Sequence, residues 1–192
     1  MPINLKLQRL WRRLFATGGH GVHSPFAFEL LTRVVEERKA VYGAYRVLEE
    51  AFHKGSSSLF ALPLGQLFYR LIAHYPTQEV LLFGDAPLYL KEQVPILQKA
   101  ICSCPLAHPY GPYSREDCFV LGYGFDRQRI EELLENRQAA ILLIPTYANP
   151  SIKRDVLRIF SSCSTGIRID LPTAQLLVLT PRLLKKHYKS TL

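Results

Sequence analysis

After Glu79 the chain alternates short apolar runs with amphipathic stretches. The runs Val80–Phe83, Cys118–Leu121, Ala139–Ile144, Gly166–Leu171 and Ala174–Leu179 read as strands, with a weaker one near Ala100–Cys102. Between them, Leu88–Lys99, Arg127–Asn136 and Ser151–Ser161 carry apolar residues at helical spacing. This alternation predicts an α/β fold: a mostly parallel sheet with helices on both faces. The last two strands must depart from it. Only Pro172 and Thr173 separate them, whereas a parallel crossover needs about a dozen residues. They are expected to form a C-terminal antiparallel hairpin, with Leu177 and Val178 on opposite faces.

Upstream the pattern is helical. Ser24 followed by Pro25 is a helix start, the hydroxyl capping free N–H groups and the proline occupying a position where no N–H is needed. Phe26, Leu30, Leu31 and Val34 then form one apolar stripe. Further helices are expected over Tyr45–His53 and about Leu64–His74, with the stretch KGSSS at 54–58 as a hinge. Residues 1–58 therefore read as an N-terminal helical extension and 59–192 as the α/β domain, together one globular unit.

With 192 residues and 48% hydrophobic content, the chain can bury a core of ordinary size, and disorder is excluded as a class. No apolar run reaches the roughly 18 residues of a membrane-spanning helix, and no secretory leader pattern opens the chain, so a cytoplasmic location is the expectation. Among the cysteines, Cys102 and Cys104 form C-x-C while Cys118 and Cys163 stand alone, which is not the spacing of a zinc site; they read as reduced thiols. His20 and His23 have no carboxylate or cysteine beside them and read as hydrogen-bonding or surface residues. No metal is expected.

The formal charge of +8 gathers at the two ends. In NLKLQRLWRRLF, Leu7, Leu10, Trp11 and Leu14 share a helical stripe, with Lys6, Arg9, Arg12 and Arg13 off it, and the chain closes on RLLKKHYKSTL. Such an N-terminal helix can lie on an anionic membrane surface, or it can pack its stripe on its own domain and leave the cations solvated. Both readings stand. No ribonucleoprotein or zinc-finger spacing specifies a nucleic acid.

One turn invites a ligand. In EVLLFGDAPLYLKEQV an apolar strand stops at Gly84 and restarts as a helix, the arrangement at which open α/β sheets bind cofactors. Gly84, Asp85 and, at the end of a neighbouring strand, Tyr123 are the candidate cofactor-binding residues; no catalytic residue emerges.

The segments HGVHSPFAFELLTRVV, VLLFG and IRIDLPTAQLLVLTPRLLKKHY, in order over about residues 20–188, resemble a family of class I S-adenosylmethionine-dependent methyltransferase-like proteins of Bacteroidetes. The resemblance implies a Rossmann-like sheet with Val80–Phe83 near its centre, helical additions before it, and S-adenosylmethionine as cofactor. The chain departs from the family's E-x-G-x-G-x-G turn. Gly84 holds the first glycine position, but Leu82 stands at the acidic position and Ala86 and Leu88 at the later glycines, with Pro87 between them. Side chains there fill volume the cofactor would use, and proline removes an N–H donor. Asp85 would cap the following helix itself, which disfavours a carboxylate ligand.

Further along, Gly122 stands where the related proteins carry an aspartate, and Pro145 and Thr146 replace an acidic pair. HPYGPY, at 108–113, reads as a turn, with a loop that closes over a pocket and stacks Tyr110 and Tyr113 on a flat ligand as the alternative; Glu116 and Asp117 sit too close to the next strand to serve the ribose hydroxyls, and Asn149-Pro150 reads as another turn. With those departures, the resemblance implies a protein that binds S-adenosylmethionine poorly or not at all. An active methyltransferase on an unknown substrate is one alternative. A non-catalytic interaction module using its basic termini at a membrane or partner surface is the other.

Overall fold

A computed structural model describes residues 24–37, 43–54, 61–75, 77–83, 86–103, 118–147 and 149–190. The basic stretch around Arg9–Arg13, His20, His23, the hinge beyond Lys54, Gly84, Asp85, Cys104, the HPYGPY turn, Glu116 and Asp117 lie outside these residues.

The apolar runs assemble into a single six-stranded sheet. In chain order its strands are β1 (Thr77–Leu82), β2 (Phe119–Tyr123), β3 (Ala140–Pro145), β4 (Ile167–Asp170), β5 (Ala174–Leu179) and β6 (Lys186–Lys189). Their spatial order is β1-β2-β3-β5-β4-β6. The pairs β1–β2, β2–β3 and β4–β6 are parallel, whereas β5 runs antiparallel to both its neighbours, β3 and β4. The expected hairpin is therefore present, joined through Pro172 and Thr173 and closed by the Leu171 N–H donating to the Ala174 carbonyl at 3.0 Å. Leu177 and Val178 face opposite layers, as strand periodicity requires.

Two expectations are corrected, and one strand appears that the sequence does not announce. The strand expected near Ala100–Cys102 is instead the end of a helix, Leu88–Ser103, because a three-residue apolar run carries no periodicity that separates helix from strand. The strand β1 lies at the sheet edge among the described residues, paired with β2 alone, and not at the centre. None of its residues is fully buried, which fits an edge. At the other edge, β6 forms from Lys186, His187, Tyr188 and Lys189, a stretch with no apolar run to announce it.

Helices cover both faces. On one lie α1 (Pro25–Glu29) with its π-helical continuation Leu30–Val35, α2 (Gly43–Lys54), α3 (Ala61–His74) and α4 (Leu88–Ser103). The Ser24 cap is formed, its Oγ accepting from the Ala27 N–H at 3.3 Å. Leu30, Leu31, Val34 and Val35 are all buried; the wider turn, seen in the Glu36 N–H donating to the Leu31 carbonyl at 2.8 Å, lets adjacent residues reach one core. On the opposite face lie α5 (Arg127–Glu135) and α6 (Pro150–Ser162), whose Ile130, Leu133, Val156, Ile159 and Phe160 pack on Val120, Leu142, Ile144 and Leu177. Each such side chain, fully buried, contributes roughly 1.5–3 kcal/mol.

Caps set the helix ends. Asp126 accepts from the Arg129 N–H at 3.1 Å at the start of α5, and Asn149 from the Ser151 N–H at 3.0 Å at the start of α6, with Pro150 next. The expected Asn149-Pro150 turn is thus a helix cap. The chain leaves α5 through Arg137 at φ 51°, with Arg137 N–H on the Leu134 carbonyl and Gln138 N–H on the Leu133 carbonyl, the paired bonds of a left-handed C-terminal cap.

Candidate functional site

The carboxyl ends of β1, β2 and β3 are where an open α/β sheet places its ligand. Gly84 and Asp85 lie outside the described residues, but the residues flanking them are buried. Phe83 donates its N–H to the Tyr123 carbonyl at 2.9 Å, extending the β1–β2 ladder, and Ala86 donates back to the Phe83 carbonyl at 2.8 Å. The Phe83 ring lies over Gly122. A Cβ on Gly122 would stand 3.1 Å from Phe83 Cε2 and 2.6 Å from Leu142 Cδ2. An aspartate cannot be accommodated there without moving both neighbours.

Tyr123 has no solvent exposure, and its ring packs edge-on against Phe68 of α3, with centroids 5.4 Å apart. The register places it opposite Leu82, on the face covered by α1–α4. Nearby, Tyr89 of α4 is buried and donates its hydroxyl to the Ala61 carbonyl at 2.7 Å, joining α3 to α4. Burial, and to a lesser degree Tyr147, push its phenol pKa well above the ordinary value. These aromatic residues act as core.

A second group of side chains comes together on β4, β5 and β6, on the face that carries α6. Arg168 and Asp170 are two apart on β4 and so share that face; Gln175 is opposite Asp170 across the hairpin, and His187 is opposite Arg168 on the edge strand. His187 Nε2 is 3.1 Å from Asp170 Oδ2, and Arg168 Nε is 3.9 Å from Asp170 Oδ1. Phe160 of α6 receives two cations: the Arg168 guanidinium at 5.8 Å and the Lys185 ammonium at 5.3 Å from its ring centre. Burial pushes the Asp170 pKa up, but Arg168, His187, Lys153 and a hydrogen bond with Gln175 outweigh it and bring it below the ordinary carboxylate value. For His187, burial and then Arg168 lower the pKa, and Asp170 offsets them only in part.

Sequence reading missed this group. Its signal was the alternation in IRID, where charged residues interleave with Ile167 and Ile169 in a strand that is buried on both faces.

The remaining polar features are structural. Arg70 of α3 is buried and donates from Nε to the Val34 carbonyl at 2.7 Å and from Nη1 to the Tyr45 hydroxyl at 2.7 Å, fastening the π-helical turn and α2 to α3. His74 and Glu29 meet at 3.2 Å. Cys118 and Cys163 are half-buried and not in a disulfide, and burial raises the Cys163 pKa. Among the described residues no group of three or more His, Cys, Asp and Glu side chains could hold a metal ion. A cleft of about 440 Å³ opens at the carboxyl ends of α5 and α6, lined by Leu133, Arg137, Gln138, Cys163, Thr165 and Thr180.

The architecture is that of an α/β protein whose six-stranded, mostly parallel sheet contains an antiparallel hairpin. No family model, no curated protein and no solved structure matches the chain. Among the described residues no helix is long and apolar enough to cross a membrane.

Proposed function

We propose that this chain is a class I methyltransferase-like protein whose cofactor end has been closed by side chains, so that it binds S-adenosylmethionine poorly or not at all. The observation that carries this reading is the packing of Phe83 and Leu142 against Gly122. It takes up the space beside the strand end where the resembling family carries an aspartate. Burial of Phe83 and Ala86 on either side of the turn works in the same direction.

The sheet supports the family reading in one respect and opposes it in another. Three adjacent parallel strands followed by an antiparallel hairpin agree with it. The edge position of β1 counts against it, since a cofactor crevice is framed by strands on both sides of its turn, and among the described residues β1 has β2 alone. That position also counts against cofactor binding.

Calorimetric titration with S-adenosylmethionine and S-adenosylhomocysteine tests the proposal. Loss of the acidic anchor and the later glycines removes several kcal/mol, and each 1.4 kcal/mol is tenfold, so binding weaker than about 1 mM is expected. Micromolar binding of either ligand would overturn it and establish the active-methyltransferase alternative as the better reading.

A further inference from the structure

The Arg168 cluster is unlike the other polar contacts of this protein. Its side chain is more than nine-tenths buried, yet among the described residues no hydrogen bond from it is formed. Nε is enclosed without an acceptor, and the nearest carboxylate oxygen, on Asp170, stands at 3.9 Å, beyond hydrogen-bond distance. The other oxygen of that carboxylate, Oδ2, is engaged by His187 at 3.1 Å. A buried guanidinium is ordinarily matched by acceptors, because its N–H groups lose water on burial. Arg70 shows the ordinary case in the same molecule, with carbonyl and hydroxyl oxygens at 2.7 Å.

The surroundings are cationic. Lys185 lies over the same Phe160 ring, Lys153 of α6 acts on Asp170, and Lys189 of β6 acts on His187. Arg168 and Lys153 act on Asp170, while Lys185 also donates to the Ser161 carbonyl at 2.8 Å. His187, about one-third exposed, forms the side of the cluster that opens to solvent.

We propose that this surface of β4, β6 and α6 binds a phosphomonoester, with Arg168 supplying planar N–H donors and Lys153, Lys185 and Lys189 the surrounding positive charge. Guanidinium and phosphate match in geometry, two parallel N–H···O bonds forming at once, and the low exposure of Arg168 strengthens them. A compact, singly anchored site of this kind fits one phosphate group. It does not fit an extended nucleic-acid backbone, because the aromatic ring at the site, Phe160, is already covered by two cations and is not free to stack on a base. The inference does not depend on the cofactor reading, which concerns the ends of β1 and β2.

The test uses the full chain at low ionic strength, with sodium chloride matched as control. Inorganic phosphate and phenyl phosphate are titrated by calorimetry, and phosphatidylglycerol vesicles are tested by sedimentation. Both soluble phosphates are expected to bind with a Kd below about 1 mM. Arg168→Met keeps an unbranched stem on Phe160 but removes the donors, and should weaken binding at least about 10-fold. Lys153→Gln and Lys189→Gln should each weaken it about 2- to 5-fold, in the range of exposed charge contacts.

Equal binding by the wild type and Arg168→Met, or no phosphate binding beyond the chloride control, overturns the proposal. So does sedimentation with vesicles in the absence of soluble phosphate binding, which would assign the cations to a lipid surface. Should Arg168→Met fail to fold, the Nε–H resonance of Arg168 in wild-type protein carries the same test. A shift on adding phosphate supports the site, and an unmoved resonance overturns it.

Discussion

Phe83 and Gly122 touch across the first two strands: the phenyl ring lies where a side chain on residue 122 would begin, 3.1 Å from the position of its Cβ. Leu142 closes the same space from β3 at 2.6 Å. Gly122→Ala should therefore destabilise the protein by about 1–3 kcal/mol, the usual cost of overpacking a dense core. Urea denaturation would show it as a lower midpoint with an unchanged slope. Combining Gly122→Ala with Phe83→Leu should cost less than the two single losses added, because they share one contact.

Arg137 holds a left-handed backbone at the end of α5, where its Cβ crowds the chain. Arg137→Gly keeps the cap and removes that strain, against some loss of unfolded-state restriction. We expect a gain of about 0.5–1 kcal/mol, read as a higher melting temperature.

Arg70 bridges three segments, and its carbonyl partners Val34 and Val35 lie in the π-helical turn. Arg70→Met leaves those buried acceptors unmatched and should cost about 2–3 kcal/mol. Arg70→Lys should rescue little of it, since an ammonium cannot reproduce the planar fork. Amide hydrogen exchange checks the location of the effect: protection over the Leu30–Val35 turn should fall in both variants.

His187 and Asp170 give stability two separate acid dependences. The folded-state pKa of His187 lies below its ordinary 6.5, through burial and Arg168. The unfolded chain therefore takes up the proton first as pH falls. Its contribution is complete above about pH 6.5 and is lost as pH drops from there through the lowered folded value. Asp170 also has a lowered pKa, so its contribution persists until pH falls below its ordinary 3.8. His187→Gln should flatten the melting-temperature profile in the upper window and, because His187 also helps lower the Asp170 pKa, shrink the contribution lost in the lower one. The charged groups acting on the imidazole are Arg168 and Asp170 of β4 and Lys189 of β6.

Local chemistry alone determined much of the fold. The apolar run Ala174–Leu179 marks β5 without error, and the two residues before it leave antiparallel pairing as the only solution. Ser24-Pro25 and Asn149-Pro150 start helices because capping depends on adjacent residues. The Gly122 departure was also visible in the chain, although its cause, the Phe83 and Leu142 contacts, was not.

Tertiary structure decided what depends on neighbours. The strand β6 is made by hydrogen bonding to β4, and its charged residues, suited to an exposed edge, carry no apolar signal. The run Ala100–Cys102 is helical because it continues α4, and the edge position of β1 follows from which strands pair with it. Arg168, Asp170, Gln175 and His187 come from three strands, and only the register that sets Arg168 opposite His187 and Asp170 opposite Gln175 gathers them. Residue spacing along a chain specifies which face of a strand a side chain takes; it does not specify which strand lies alongside, because that choice is made by the packing of the whole sheet.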